Sequence, residues 1–126
     1  MKKIVFIICS SLLFATGVFA QAIGTVDKKT KEFYIHADLK MDYQVFGYQV
    51  ANTSSQKMIC FSSHIGDVKD NYNRCPLGSY MDTGKMKIGD KITYISAVAT
   101  FGKMLYTSAS GKKTIFYLPK SSFAVK

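Results

Sequence analysis

The strongest constraint on what this chain can fold into is the period of its apolar residues. Period-two alternation with polar residues and turn punctuation recur along the chain after its first twenty residues, and no window of ten or more residues there shows a convincing 3.6 period. Successive side chains on a strand point to opposite faces, so this pattern buries one face of a sheet and wets the other. In the segment Glu32 to Asp38, Phe33, Ile35 and Ala37 share one face, and Tyr34, His36 and Asp38 share the other. From Tyr43 to Ala51, Phe46, Tyr48 and Val50 oppose Val45, Gly47 and Gln49. Lys57 to Ser63 is a third run, with Met58 and Cys60 opposite Ile59 and Phe61. The polar stretches Lys40-Met41-Asp42 and Asn52-Thr53-Ser54-Ser55-Gln56 suit the hairpin loops between them.

Four further runs follow: Lys85 to Ile88, Lys91 to Phe101, Met104 to Ala109 and Lys113 to Leu118. They are separated by Gly89-Asp90, Gly102-Lys103 and Ser110-Gly111, each with a glycine able to supply a positive φ at a tight turn. Gly102-Lys103 fits a two-residue type II′ turn, and the four runs predict a four-stranded meander. Ile92 to Ala99 is apolar or small on both faces and suits a central strand. Pro119 should end the last strand, leaving Lys120 to Lys126 to fray. Three strands plus four, in about 100 residues, predict an all-β fold: an antiparallel two-sheet β-sandwich of immunoglobulin-like size. A small closed β-barrel gives the same alternation and is the alternative.

Residues 1–20 are expected to be a secretory signal peptide, because Lys2 and Lys3 precede an apolar run and Val18-Phe19-Ala20 places small residues where a signal peptidase needs them. Ile4 to Ala20 lies at the lower edge of the roughly 17–25 residues that span a bilayer, and Ser10, Ser11, Thr16 and Gly17 weaken it, so cleavage is preferred to an anchor. Removing these residues, with Lys2 and Lys3, leaves a single β domain at 21–126: 106 residues, 15 basic against 8 acidic side chains, and a net charge of +7. No transmembrane segment is expected after cleavage. The location implied is periplasmic or secreted, and the Met-Lys-Lys start favours a bacterial source.

Two cysteines then remain, Cys60 and Cys75, and in an oxidising compartment they are expected to form a disulfide. A loop of about 15 residues closed in this way stabilises a fold by about 3 kcal/mol on a chain-entropy argument. The bond would tie down the connection at 64–84, which has little periodicity and is long for a compact domain. Within it Asp67, Lys69, Asp70, Asn71, Tyr72, Asn73 and Arg74 form a candidate binding segment, mixing an aromatic ring with adaptable polar groups as recognition surfaces do. The plain alternative is a crossing between sheets.

Catalytic strings are missing: there is no G-x-S-x-G, H-E-x-x-H, P-loop or dinucleotide fingerprint. Cys60, His64 and Asp67 could serve as nucleophile, base and orienter, but a thiolate beside the second cysteine of an exported chain should be oxidised. The same oxidation removes a zinc site made of Cys60, His64 and Cys75. Asp67, Asp70, Asn71 and Asn73 do not match the spacing of an EF-hand loop. No catalytic residue, metal site or cofactor is therefore assigned. Lysine clusters at Lys28-Lys29-Lys31, Lys85-Lys87-Lys91 and Lys112-Lys113 suit attraction to an anionic surface as well as protection of strand edges. Sixteen lysines to one arginine, together with export, argue against a nucleic-acid partner. The function expected is a non-enzymatic binding protein, of inhibitor or immunity type or an envelope-surface binder, whose partner is a protein or an anionic envelope component. The alternatives are a small exported hydrolase using His64 with loop carboxylates, and a structural subunit of an envelope assembly.

Overall fold

A computed structural model describes residues 22–36, 45–61, 81–83 and 86–126. Among these, the alternating runs form nine strands: β1 (Gly24–Val26), β2 (Glu32–Ile35), β3 (Val45–Tyr48), β4 (Lys57–Phe61), β5 (Met81–Asp82), β6 (Lys91–Val98), β7 (Phe101–Thr107), β8 (Lys113–Pro119) and β9 (Phe123–Val125). They hydrogen-bond into one open mixed sheet in the order β5-β4-β3-β8-β7-β6-β2-β1-β9. Pairs are antiparallel except β4–β5 and β1–β9, which are parallel. The fold is all-β.

One face of the sheet is the core. Ile59, Phe61, Ile92, Met104, Phe116 and Leu118 are each at most 1% exposed and belong to a single apolar cluster. Burial of side chains of this size contributes roughly 1.5–3 kcal/mol each, which is why the period-two pattern holds the sheet in register. Phe33 of β2 and Phe61 of β4 meet edge to face with centroids 6.1 Å apart, although β3, β8, β7 and β6 lie between their strands. The sheet therefore curls until its two halves share one core. The outward positions between these residues, such as Tyr34, Ile95 and Ile115, stay exposed.

Three strands of the expected four-stranded meander form, β6, β7 and β8, and β6 lies between β7 and β2. Four local expectations are corrected. The β6–β7 hairpin does not turn at Gly102-Lys103: Gly102 sits inside β7 opposite Ala97, and the turn falls at Ala99-Thr100, where Ala99 takes a φ of 53°. Gly102 serves close approach instead, because a Cβ there would strike the rings of Phe123 and Tyr94. Of the run expected as a strand at Lys85 to Ile88, residues 86–88 are not in a strand. The Asp90 carboxylate accepts the Lys87 N–H at 2.8 Å, Gly89 takes a φ of 96°, and Ile88 is left fully exposed. Residues 120–126 do not fray: a 3-10 turn at Lys120–Ser122 leads into β9, and the Lys126 N–H donates to the Val26 carbonyl at 2.9 Å. The fourth correction is β1, the partner of β9, which has no counterpart in the periodicity.

Candidate functional site

Of the two cysteines, His64 and the candidate binding segment, Cys60 alone is described. His64, Asp67, Lys69, Asp70, Asn71, Tyr72, Asn73, Arg74 and Cys75 lie outside the described residues. Cys60 is fully buried and disulfide-bonded, and its partner cysteine also lies outside them. It sits between Ile59 and Phe61, both core residues, so its side chain is on the outer side of β4, opposite Phe46.

That outer side is where charge and aromatic rings come together. Along β3, Val45 and Gly47 face the core, the latter close to Phe116 and Ile59, which leaves Phe46 and Tyr48 outward. On β8, Phe116 and Leu118 face inward and Tyr117 outward, and on β7 Met104 and Tyr106 face inward and Lys103 outward. Strand register then aligns these outward residues into one row. Lys103 pairs with Tyr117, Tyr117 with Tyr48, and Tyr48 with Lys57. Two tyrosines are thus bracketed by two lysines across four adjacent strands.

Neighbouring rings stiffen the row. Tyr48 packs edge to face on Phe101 at 6.4 Å and on Phe46 at 6.5 Å, and Lys57 Nζ lies 4.1 Å from the centre of the Phe46 ring. A cation over a ring face is worth roughly 0.5–1 kcal/mol at an exposed site. Burial raises the Tyr48 phenol above its ordinary pKa, so it stays a neutral hydroxyl at physiological pH. Farther along the same side, Lys91 and Lys113 flank Thr107 in register. A second basic corner forms where the β1–β2 turn meets the end of β9. The Lys28 N–H donates to the Lys126 carbonyl at 2.9 Å, which brings Lys126 beside Lys28, Lys29 and Lys31.

His36, on the outer side of β2, lies with its Nε2 3.1 Å from Thr25 Oγ1, while the Tyr34 hydroxyl donates to Glu32 at 2.9 Å. Thr25 and Tyr34 are register partners, so the two pairs lie side by side on the outer face. Among the described residues no group of three or more His, Cys, Asp or Glu side chains is placed to hold a metal ion, and no helix is long and apolar enough to cross a membrane. The described outer face presents aromatic rings between positive charges.

The sequence did not identify this row. Its four members come from β3, β4, β7 and β8, and only register across the sheet makes them neighbours. The signal available was that each occupies the outward phase of its own strand. Comparison with protein-family models, with curated proteins and with solved structures returned no match.

Proposed function

We propose that this is an exported, non-enzymatic binding protein that recognises an anionic envelope component on the outer face of its sheet. The observation that carries the reading is the row Lys103–Tyr117–Tyr48–Lys57. The rings offer apolar faces to a cyclic or extended ligand, and the flanking ammonium groups attract acidic groups on either side. Lysine is a compact point charge on a flexible stem, which suits a repeating anion better than one rigidly placed phosphate. In architecture we read the curled sheet as sandwich-like, with a barrel the alternative; the packing of Phe33 on Phe61 supports two facing halves.

The Cys60–Cys75 disulfide is part of this proposal. Because Cys60 lies on the outer side of β4, the bond would anchor the 64–84 connection, with Asp67 to Arg74, on the same side as the row. Such an anchor would also suit a second reading, in which the partner is a protein gripped by the 64–84 connection.

Co-sedimentation of the protein with a purified anionic envelope fraction separates these readings. The expected result is binding at low salt and release in about 1 M salt, where the Debye length falls to about 3 Å. The double variant Lys57→Glu, Lys103→Glu should weaken binding by roughly tenfold or more with an unchanged unfolding midpoint. Binding that survives high salt, or that ignores the double variant, overturns the outer-face reading. Salt-resistant capture of one stoichiometric protein would point to the second.

A further inference from the structure

The inner side of the sheet has an opening of its own. Between β4–β5 and the β7–β8 hairpin lies a cleft of about 490 Å³, floored by Ile59, Tyr106 and Phe116 and walled by Met58 and Met81. A register shift between Gly47 and Tyr48 leaves Met58 as an extra residue in β4, so it packs against the core together with Ile59. Through Met81, Tyr106, Ser108 and Ser110 the cleft continues into a second lobe of about 410 Å³ that reaches Lys87 and Asp90. Each lobe lies within the roughly 300–1,000 Å³ of ordinary small-molecule sites.

The lining has a direction. Its deep part is apolar, and the two unbranched methionines can adjust to a flexible chain. Its rim carries Ser108, Ser110, Thr114 and the cations Lys87 and Lys112. Among the described residues the one carboxylate in the lining, Asp90, is already engaged. Its Oδ1 accepts the Ala109 N–H at 2.8 Å, and its Oδ2 accepts the Lys87 N–H and the Tyr106 hydroxyl, each at 2.8 Å. Those bonds hold the Asp90 carboxyl below its ordinary pKa and fix Tyr106 as the shared wall of both lobes. The Lys87 ammonium also stabilises the Asp90 carboxylate, so among the described residues Lys112 is the positive charge left at the mouth of an apolar floor.

We infer that this cleft binds a single-chain aliphatic carboxylate, with the chain along Met58, Met81 and Phe116 and the carboxylate at the Ser110 and Lys112 rim. The site lies on the inner side of the sheet, away from the outer row, so it stands or falls separately from the envelope-binding reading.

The test titrates the full chain, with isotope-labelled methionine methyl groups, with dodecanoate below its micelle concentration. Saturable shifts of the Met58 and Met81 methyls are expected, with Met104, sealed in the core, unmoved. Dodecanol and dodecyltrimethylammonium should bind at least roughly tenfold more weakly, the factor that about 1.4 kcal/mol of charge pairing supplies. Lys112→Glu should weaken dodecanoate by a similar factor, and Met81→Trp, which fills the cleft, should abolish binding. Lys57→Glu with Lys103→Glu should leave it unchanged. Shifts that do not saturate, or that appear away from Met58 and Met81, overturn the site. Equal binding of the alcohol or the cation overturns the assignment of a carboxylate. The wild-type methyl map decides the site even if Met81→Trp does not fold.

Discussion

Strands β6, β7 and β8 follow one another through short turns and pair along nearly their whole length, β7 matching β8 at seven successive positions. The β1–β9 seam has three matched positions, from Gly24 opposite Phe123 to Val26 opposite Val125, and its two strands are the first and last among the described residues. The meander gains many contacts for little loop closure, whereas the seam must close a long chain for few. Its compensation is a ring: Phe123 packs on Phe33 at 6.3 Å and on Tyr94 at 6.0 Å, joining β9 to the core. Local pairing holds the centre of this sheet, and one aromatic side chain holds its edge.

The comparison breaks most easily at the two phenylalanines. Phe116→Ala, in a fully buried site of the meander, should cost about 3–5 kcal/mol in denaturant unfolding. Phe123→Ala, in a site 9% exposed, should fall at the lower end of that range, about 3 kcal/mol. Hydrogen exchange should separate them further. Loss of Phe123 should speed exchange in β1 and β9 while β7 keeps its protection, as expected of a sub-global opening. Equal acceleration in β7 would mean that the seam and the meander open as one unit.

A smaller effect sharpens the contact between the two regions. Gly102→Ala places a methyl against the Phe123 and Tyr94 rings and should destabilise by about 1–3 kcal/mol. Combined with Phe123→Ala, the cost should be well below the sum of the single costs, because the second change makes room for the first. Simple additivity in denaturant unfolding would show that the ring does not press on β7.

Smaller again is a pH effect that belongs to the meander alone. The Asp90 carboxyl is held below its ordinary pKa by the Lys87 and Ala109 N–H groups and the Tyr106 hydroxyl. Its contribution is therefore present above the unfolded-state pKa of about 3.9 and is lost as pH falls through the lower folded-state value. Tyr106 works in the opposite sense. Burial, with the Asp90 hydrogen bond, pushes its phenol up to about 12, so its contribution is complete below about pH 10 and is lost as pH rises toward the folded value. Asp90→Asn should flatten the acid limb of unfolding midpoint against pH. An acid limb unchanged in the variant would assign it to other carboxylates.

The same contrast explains what the sequence disclosed. The meander was legible because its strands are long, alternate at period two and are separated by turn residues; Gly89 and Gly111 do take positive φ values. The position of the β6–β7 turn was not, because Gly102 looks like a turn glycine and is needed instead for room beneath two rings. Ala99, which does turn left-handed, carries no turn signal in its side chain. Strands β1 and β9 have three residues each, too few to show a period, and β9 follows the proline that should have ended the sheet. For the site, lysine enrichment was plain, but the row that joins Lys57 and Lys103 through Tyr48 and Tyr117 depends on register between distant segments. No single stretch of chain contains it.

The seam has one more consequence. β1 is flanked by β2, which follows it directly, and by β9, the last of the described strands. A chain cut anywhere between β1 and β9 therefore leaves β1 with a bare edge and takes away the ring that covers Phe33 and Tyr94. Such a fragment shows unpaired backbone and wet aromatic surface, the features by which quality-control proteases recognise unfinished chains. The short pairing of the first described strand with the last thus makes the cover over Phe33 and Tyr94 depend on both being present.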